Sequence, residues 1–257
     1  MTDLLYAGFL GLVAGLLPVY LGLAPLPLFR RLSDVWRAGL VSFSAGILLF
    51  LFADVAHEGV EKSALPGSSP LLFAGGVIAG LIGPALVSNW ARSRRAAARK
   101  ASSGSSVASA GGAKVFTAYM ISFGIGLHNL GEGLAIGAAY AAGTFGFTTL
   151  LVIGFFLHNS TEGLGISAPI ASVPTRWREP LLMGFLAGSP TILGSMIGSL
   201  GVSPALGALF FAAAAGALLY VVVELAKVLH ASDKIGVSFA GLVVGFLTMY
   251  FTGLIVP

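Results

Sequence analysis

The chain has no cysteine. Disulfides and thiolate metal ligands are thereby excluded. Charge is almost as scarce. Asp, Glu, Lys and Arg make up 9% of 257 residues, where a soluble domain carries about 25%. No G-x-x-x-x-G-K-S/T stretch occurs, so a P-loop for ATP is excluded. Met1-Thr2-Asp3 holds no basic n-region. The first apolar stretch therefore reads as a retained span, not a cleaved signal.

What is abundant is apolar. Hydrophobic residues reach 56% and mean hydropathy is +0.95. Eighteen Phe and 36 Gly suit a helical membrane bundle, in which small residues let helices approach closely. The sequence pI of about 9.6 could suggest nucleic acid. The basic residues, however, fall between apolar segments and form no stripe, which is the pattern of membrane topology. No nucleic-acid partner is expected.

The spacing predicts an all-α integral membrane protein with eight transmembrane helices in a single domain, 1–257. The spans fall near 3–24, 37–57, 70–91, 115–141, 146–171, 180–200, 204–228 and 235–256, each about the 20 residues a bilayer needs. Pro25-Leu26-Pro27, Pro66-Gly67-Ser68-Ser69-Pro70, Val173-Pro174 and Ser203-Pro204 mark turns. Residues 92–114 read as a mobile loop, because Arg, Lys, Ser, Gly and Ala bury too little to fold alone. With eight spans, 13 of the 14 basic residues lie on one side and only Lys62 on the other. Positive charge stays in the cytoplasm. Both termini are then outside, and the 92–114 loop is cytoplasmic. Pairs of small residues four apart recur at Gly11/Gly15, Gly76/Gly80, Gly133/Gly137, Gly184/Gly188, Gly194/Gly198 and Gly241/Gly245. They read as close helix contacts or as chance in a Gly-rich chain.

Two segments carry one polar pattern. The first is His128-Asn129-Leu130-Gly131-Glu132-Gly133 and the second His158-Asn159-Ser160-Thr161-Glu162-Gly163. Of the ten acidic residues, only Glu132 and Glu162 lie deep in a span. Ionisable groups at that depth are costly and persist mainly where they bind or carry something. Spacings of i, i+4 and i, i+3 put His, Asn and Glu of each copy on one helix face. Consecutive spans run antiparallel, so the two faces can meet at mid-membrane. A lone buried His or Glu often serves only a helix–helix hydrogen bond; two matching copies speak for a shared ligand. Imidazole with carboxylate suits a divalent transition metal, Zn²⁺ or Fe²⁺, with Mn²⁺ and Cd²⁺ not separable by sequence. Without a thiolate or thioether, Cu⁺ is a poor fit, and with nitrogen present so are Mg²⁺ and Ca²⁺. The primary ligands are His128, Glu132, His158 and Glu162, with Asn129 and Asn159 as secondary ones. Asn159-Ser160-Thr161 also matches a glycosylation acceptor, but at mid-membrane no transferase reaches it.

At these residues the chain resembles the ZIP (Zrt-, Irt-like) family of divalent-metal transporters. The resemblance implies eight spans in an inverted 3+2+3 repeat, a cytoplasmic loop after the third, and a midplane site from which metal reaches the cytoplasm. It implies alternating access, with metal as substrate, no cofactor and no enzymatic activity. Partners are the metal ion and the lipid bilayer of the cell membrane, with a homodimer allowed. The chain departs from the family pattern in places. Gly131 and Thr161 stand where the motif has proline. Ser189 precedes Pro190 where many bacterial relatives have Glu, and Asn159 stands where several have Asp. Leu48 falls where some have Met, and 92–114 has no His. One metal rather than two is therefore expected.

Two further clusters stand outside the motifs. Asp54, His57, Glu58 and Glu61 form an entrance or a solvated helix end; Glu224, His230 and Asp233 form an exit or another such end. The rival class is an intramembrane metal-dependent hydrolase, which would need an open metal position and a separate base. The chain has no H-E-x-x-H and no deep acid beyond the two motif Glu residues. A metal-gated structural or sensory protein is a third class.

Overall fold

The computed structural model describes residues 2–101, 106–201, 203–230 and 234–254. Among them the secondary structure is helix alone, with no strand. The first span is broken. α1 (Thr2–Gly11) runs into a π-helical turn (Leu12–Leu16) and then α2 (Leu17–Leu23). A short α3 (Leu26–Phe29) follows Pro25. The long helices are α4 (Asp34–Ala64), α5 (Pro70–Ala101), α6 (Ser106–Ala141), α7 (Phe145–Ile170), α8 (Arg178–Gly198), α9 (Pro204–His230) and α10 (Ile235–Gly253). Positive-φ glycines Gly67, Gly143 and Gly201 sit in the turns after α4, α6 and α8, a conformation that side chains with a Cβ resist.

Among the described residues, six helical stretches are long and apolar enough to cross a membrane: Asp3–Phe29, Asp34–Ala64, Pro70–Trp90, Arg178–Gly198, Pro204–Ala226 and Ile235–Thr252. α6 and α7 have the length, at 36 and 26 residues, but not the apolarity. They are the helices that carry the polar motifs. Their motif residues are wrapped by other helices, with His128, Glu132, His158 and Glu162 all buried. Outward, α5 presents Leu71, Ile78, Ile82 and Leu86, and α8 presents Leu182, Phe185 and Leu193, all exposed. Such faces suit lipid tails.

Two groups of helices emerge from the pairings. α6 packs along α8, and α7 along α2 and the π turn. α4 packs on α9 and α10, and α5 on α9. Glycine makes these seams. A Cβ on Gly133 or Gly137 would run into the carbonyls of Thr191 and Ser195, and one on Gly194 or Gly198 into those of Leu130 and Leu134. Gly163 meets Val19 and Gly22 in the same way. In the other group Gly80 abuts Ala213, Gly216 abuts Val77, and Gly245 abuts Phe43. Lipid gives helices no hydrophobic drive to associate, so contact at backbone distance supplies it. Between the groups the close approaches are to side chains and not to backbone: a Cβ on Gly131 of α6 would stand 2.8 Å from the Phe211 ring of α9, and one on Gly165 of α7 3.2 Å from Ser44 Oγ of α4. Gly124 of α6 stands 3.6 Å, measured from its would-be Cβ, from the Ala217 carbonyl of α9.

The polar segment 92–114 is entered from both sides by helix. α5 continues to Ala101 and α6 begins at Ser106.

Candidate metal centre

His158 is near the middle of α7, and His128 lies well inside α6. Each i, i+4 pair shares a face, and the two faces meet. His128 Nε2 stands 3.2 Å from Glu132 Oε1 and 3.8 Å from Glu162 Oε1. His158 Nε2 stands 3.6 Å from Glu132 Oε1 and 3.8 Å from Glu162 Oε1. The rings are 5.6 Å apart between centroids. All four side chains are at most 5% exposed.

These four atoms have no hydrogen-bond partner. Buried polar atoms left so are costly in a low dielectric. A tetrahedral ion with bonds of about 2.0–2.1 Å sets its ligands about 3.3–3.4 Å apart. Of the four observed N···O separations, 3.2 Å falls just below that edge and 3.6–3.8 Å above it. His128, Glu132 and His158 each offer an atom within 4.8 Å of the other two. Glu162 is not part of that triad, though it is equally near both imidazoles. The donor set of two nitrogens and two carboxylate oxygens fits a divalent transition metal.

The second oxygen of each carboxylate is held differently. Asn129 Nδ2 donates to Glu162 Oε2 at 3.1 Å, and Asn159 Nδ2 donates to Glu132 Oε2 at 2.8 Å. The same nitrogens donate to backbone carbonyls, Ala187 at 3.1 Å and Ala14 at 2.9 Å. Those carbonyls were not foreseen. A signal existed: Pro18 in the first span has no N–H to return to Ala14, four residues back.

A cavity of about 500 Å³ reaches the site from the end where α4 and α10 finish. Asp54 and Glu58 line it together with His128, Glu132 and His158, between walls that include Phe155 and Tyr250. Of the entrance cluster, His57 and Glu61 are not in its lining. They are exposed and pair with each other at 3.3 Å. Glu58 also pairs with Lys62 at 2.7 Å. Toward the other end the chain is closed. Leu48, Ile121, Ile125, Ile166, Ile170 and Leu225 are essentially inaccessible and belong to one apolar cluster. Glu224 lines a small crevice beyond them with Phe116 and Tyr220. The side chain of His230 and all of Asp233 lie outside the described residues.

Sulfur does approach the motif from an unforeseen helix. Thr161 Oγ1 stands 2.9 Å from Met249 Sδ of α10, and Met249 is fully buried. Leu48, where some relatives have Met, is packing.

An all-helical chain with a buried two-His, two-Glu cluster between its helices is a multi-pass membrane protein with a site fit for metal. The chain belongs to the ZIP zinc transporter family, whose model matches residues 90–253. No curated protein matches the chain. The family comprises transporters of divalent metal, not enzymes, so the hydrolase reading falls at the level of the family. In this family metal is substrate, not cofactor.

Proposed function

We propose that the chain carries divalent transition-metal ions, Zn²⁺ foremost, into the cytoplasm by alternating access. Fe²⁺, Mn²⁺ and Cd²⁺ suit the same donors. The observation that carries this reading is the set of four buried nitrogen and oxygen atoms without hydrogen-bond partners, whose N···O separations are 3.2–3.8 Å. His128, Glu132, His158 and Glu162 hold the ion; Asn129 and Asn159 complete the site. Two neutral imidazoles and two carboxylates balance a 2+ charge. Asp54 and Glu58 receive the ion from outside through the cavity that they share with the site.

The motion is one helix group sliding on the other. α1, α2, α6, α7 and α8 are fused by glycine contacts, as are α4, α5, α9 and α10. Between the groups the direct polar contacts include Ser44 Oγ to the Gly165 carbonyl at 2.9 Å and Thr161 to Met249. A sliding interface needs few such bonds.

The pairing scheme also supports an inverted 3+2+3 arrangement of eight spans. Exchanging the first span with α8, α4 with α9, α5 with α10, and α6 with α7 maps the main contacts onto one another. Both termini are placed outside the cell membrane by the basic residues, and the connection between α5 and α6 lies in the cytoplasm.

Uptake of ⁶⁵Zn²⁺ into proteoliposomes tests the function. Saturable flux is expected; binding without flux would favour a sensory protein.

A further inference from the structure

We propose that Asn129 and Asn159 are crossed positioning residues: each fixes the metal-binding carboxylate of the opposite helix through its amide nitrogen and does not ligate the ion through its amide oxygen. This rests on the metal-carrying reading above.

The amide NH₂ has two hydrogens. In both residues both are directed to acceptors, one to the opposite Glu and one to a backbone carbonyl. Both residues are 0% exposed, and their Oδ1 atoms have no hydrogen-bond partner, so the bonds of the amide nitrogens alone fix how each side chain is turned. On each Glu, Oε2 is thereby occupied and Oε1 is left to face the imidazoles. The bond thus decides which oxygen is offered and stops the carboxylate turning. It works across the helix pair: Asn129 of α6 holds Glu162 of α7, and Asn159 of α7 holds Glu132 of α6.

The carbonyl partners extend the brace. Ala14 lies in the π turn, where Leu17 N–H bonds Leu12 five residues back, and Pro18 supplies no donor to Ala14. Its carbonyl lacks the α-helical donor and accepts from Asn159. Ala187 belongs to the kindred place in α8, beside Pro190, which supplies no donor to Leu186. The two amides therefore tie α6 to α8, α7 to the first span, and the motif helices to each other. The metal's carboxylates, the two helices that carry them and the two that brace them then move together. An aspartate at either position would set an acceptor against two acceptors.

Opposite outcomes separate brace from ligand. Zn²⁺ affinity is measured by calorimetry on the detergent-solubilised full chain. Asn129→Asp keeps a ligating oxygen but loses the amide donor. Both Asn129→Asp and Asn129→Ala are expected to weaken binding by about 10–100-fold, the usual loss when a ligand's support is removed. Asn129→Ala should be nearly silent on a Glu162→Asp background, where the shortened carboxylate has withdrawn from the amide. It should keep its full effect on a Glu132→Asp background. Asn129→Asp binding as tightly as the parent, or more tightly, overturns the proposal. So does an equal effect of Asn129→Ala on the two backgrounds, which decides the matter if Asn129→Asp is not recovered folded. Failure of the parent itself to bind Zn²⁺ sinks the metal-carrying reading instead. The same cycle read by thermal unfolding midpoints then still decides the crossing.

Discussion

His158 Nε2 lies 3.6 Å from Glu132 Oε1, across two helices, about as close as His128 lies to Glu132 on its own helix. The motif copies therefore form one buried cluster, in which the candidate ligands of each copy face those of the other.

From this it follows that Glu132→Ala and Glu162→Ala each remove a ligand that the other copy cannot replace. Each is expected to abolish ⁶⁵Zn²⁺ uptake with expression and folding retained, because an alanine removes buried charge without adding bulk. His128→Ala and His158→Ala should raise the Kd for Zn²⁺ by at least tenfold. Full uptake by either Glu variant would falsify the site.

The meeting of these residues was legible because two features were in plain view: i, i+4 spacing and mid-helix depth on consecutive spans. The small-residue pairs were legible too. Gly133/Gly137 and Gly194/Gly198 face one another across α6 and α8. The break in the first span was not. The π turn at Leu12–Leu16 arises beside Pro18 and against Asn159 of a distant helix, and no local pattern reports that. Nor was the helix running to Ala101. The composition of 92–114 points to little burial, but Ala, Arg and Lys between 92 and 101 form helix readily whatever they bury.

The seam between the helix groups can be locked. A Cβ built on Gly165 stands 3.8 Å from the Ser44 Cβ, the mean separation in a disulfide. The chain has no other cysteine to interfere. Ser44→Cys/Gly165→Cys is expected to cross-link under mild oxidation and to lose uptake while still binding Zn²⁺. Reduction should restore flux. Unimpaired uptake by the fully cross-linked protein would exclude sliding at α4 and α7.

Topology has an equally direct check. A single cysteine introduced at position 105 should be inaccessible to an impermeant maleimide in sealed cells and accessible after lysis. One introduced at Ser68 should be labelled from outside. The reverse pattern would invert the membrane orientation and with it the direction of transport.

Protons should compete with metal. Imidazole nitrogen and carboxylate oxygen bind an ion only when deprotonated. Free imidazole titrates near pH ~6.5 and carboxylates near ~4.3. The Kd for Zn²⁺ is therefore expected to rise as pH falls, by at least about tenfold between pH 7.5 and 5.5 with two imidazoles in the site. Calorimetry in non-chelating buffers measures this, and a flat profile would remove the imidazoles from the ligand set.

Stoichiometry follows from charge. Two 2+ ions about 4 Å apart repel by roughly 16 kcal/mol even at an effective dielectric of about 20. Binuclear sites offset this with bridging and flanking carboxylates. Here Glu132 and Glu162 are the fully buried carboxylates among the described residues, and one oxygen of each is held by an amide. Asp54 and Glu58 stand further up the cavity, and Glu58 is paired with Lys62. Ser189, next to Pro190 in α8, brings no charge. One tightly bound Zn²⁺ per chain is therefore expected. Ser189→Glu should add a second, weaker site by supplying a carboxylate on the helix that packs along α6. Calorimetry and anomalous diffraction both count ions. Two fully occupied metals in the unaltered chain at micromolar concentration would show that the amides yield to a second ion, and that the two carboxylates can bridge.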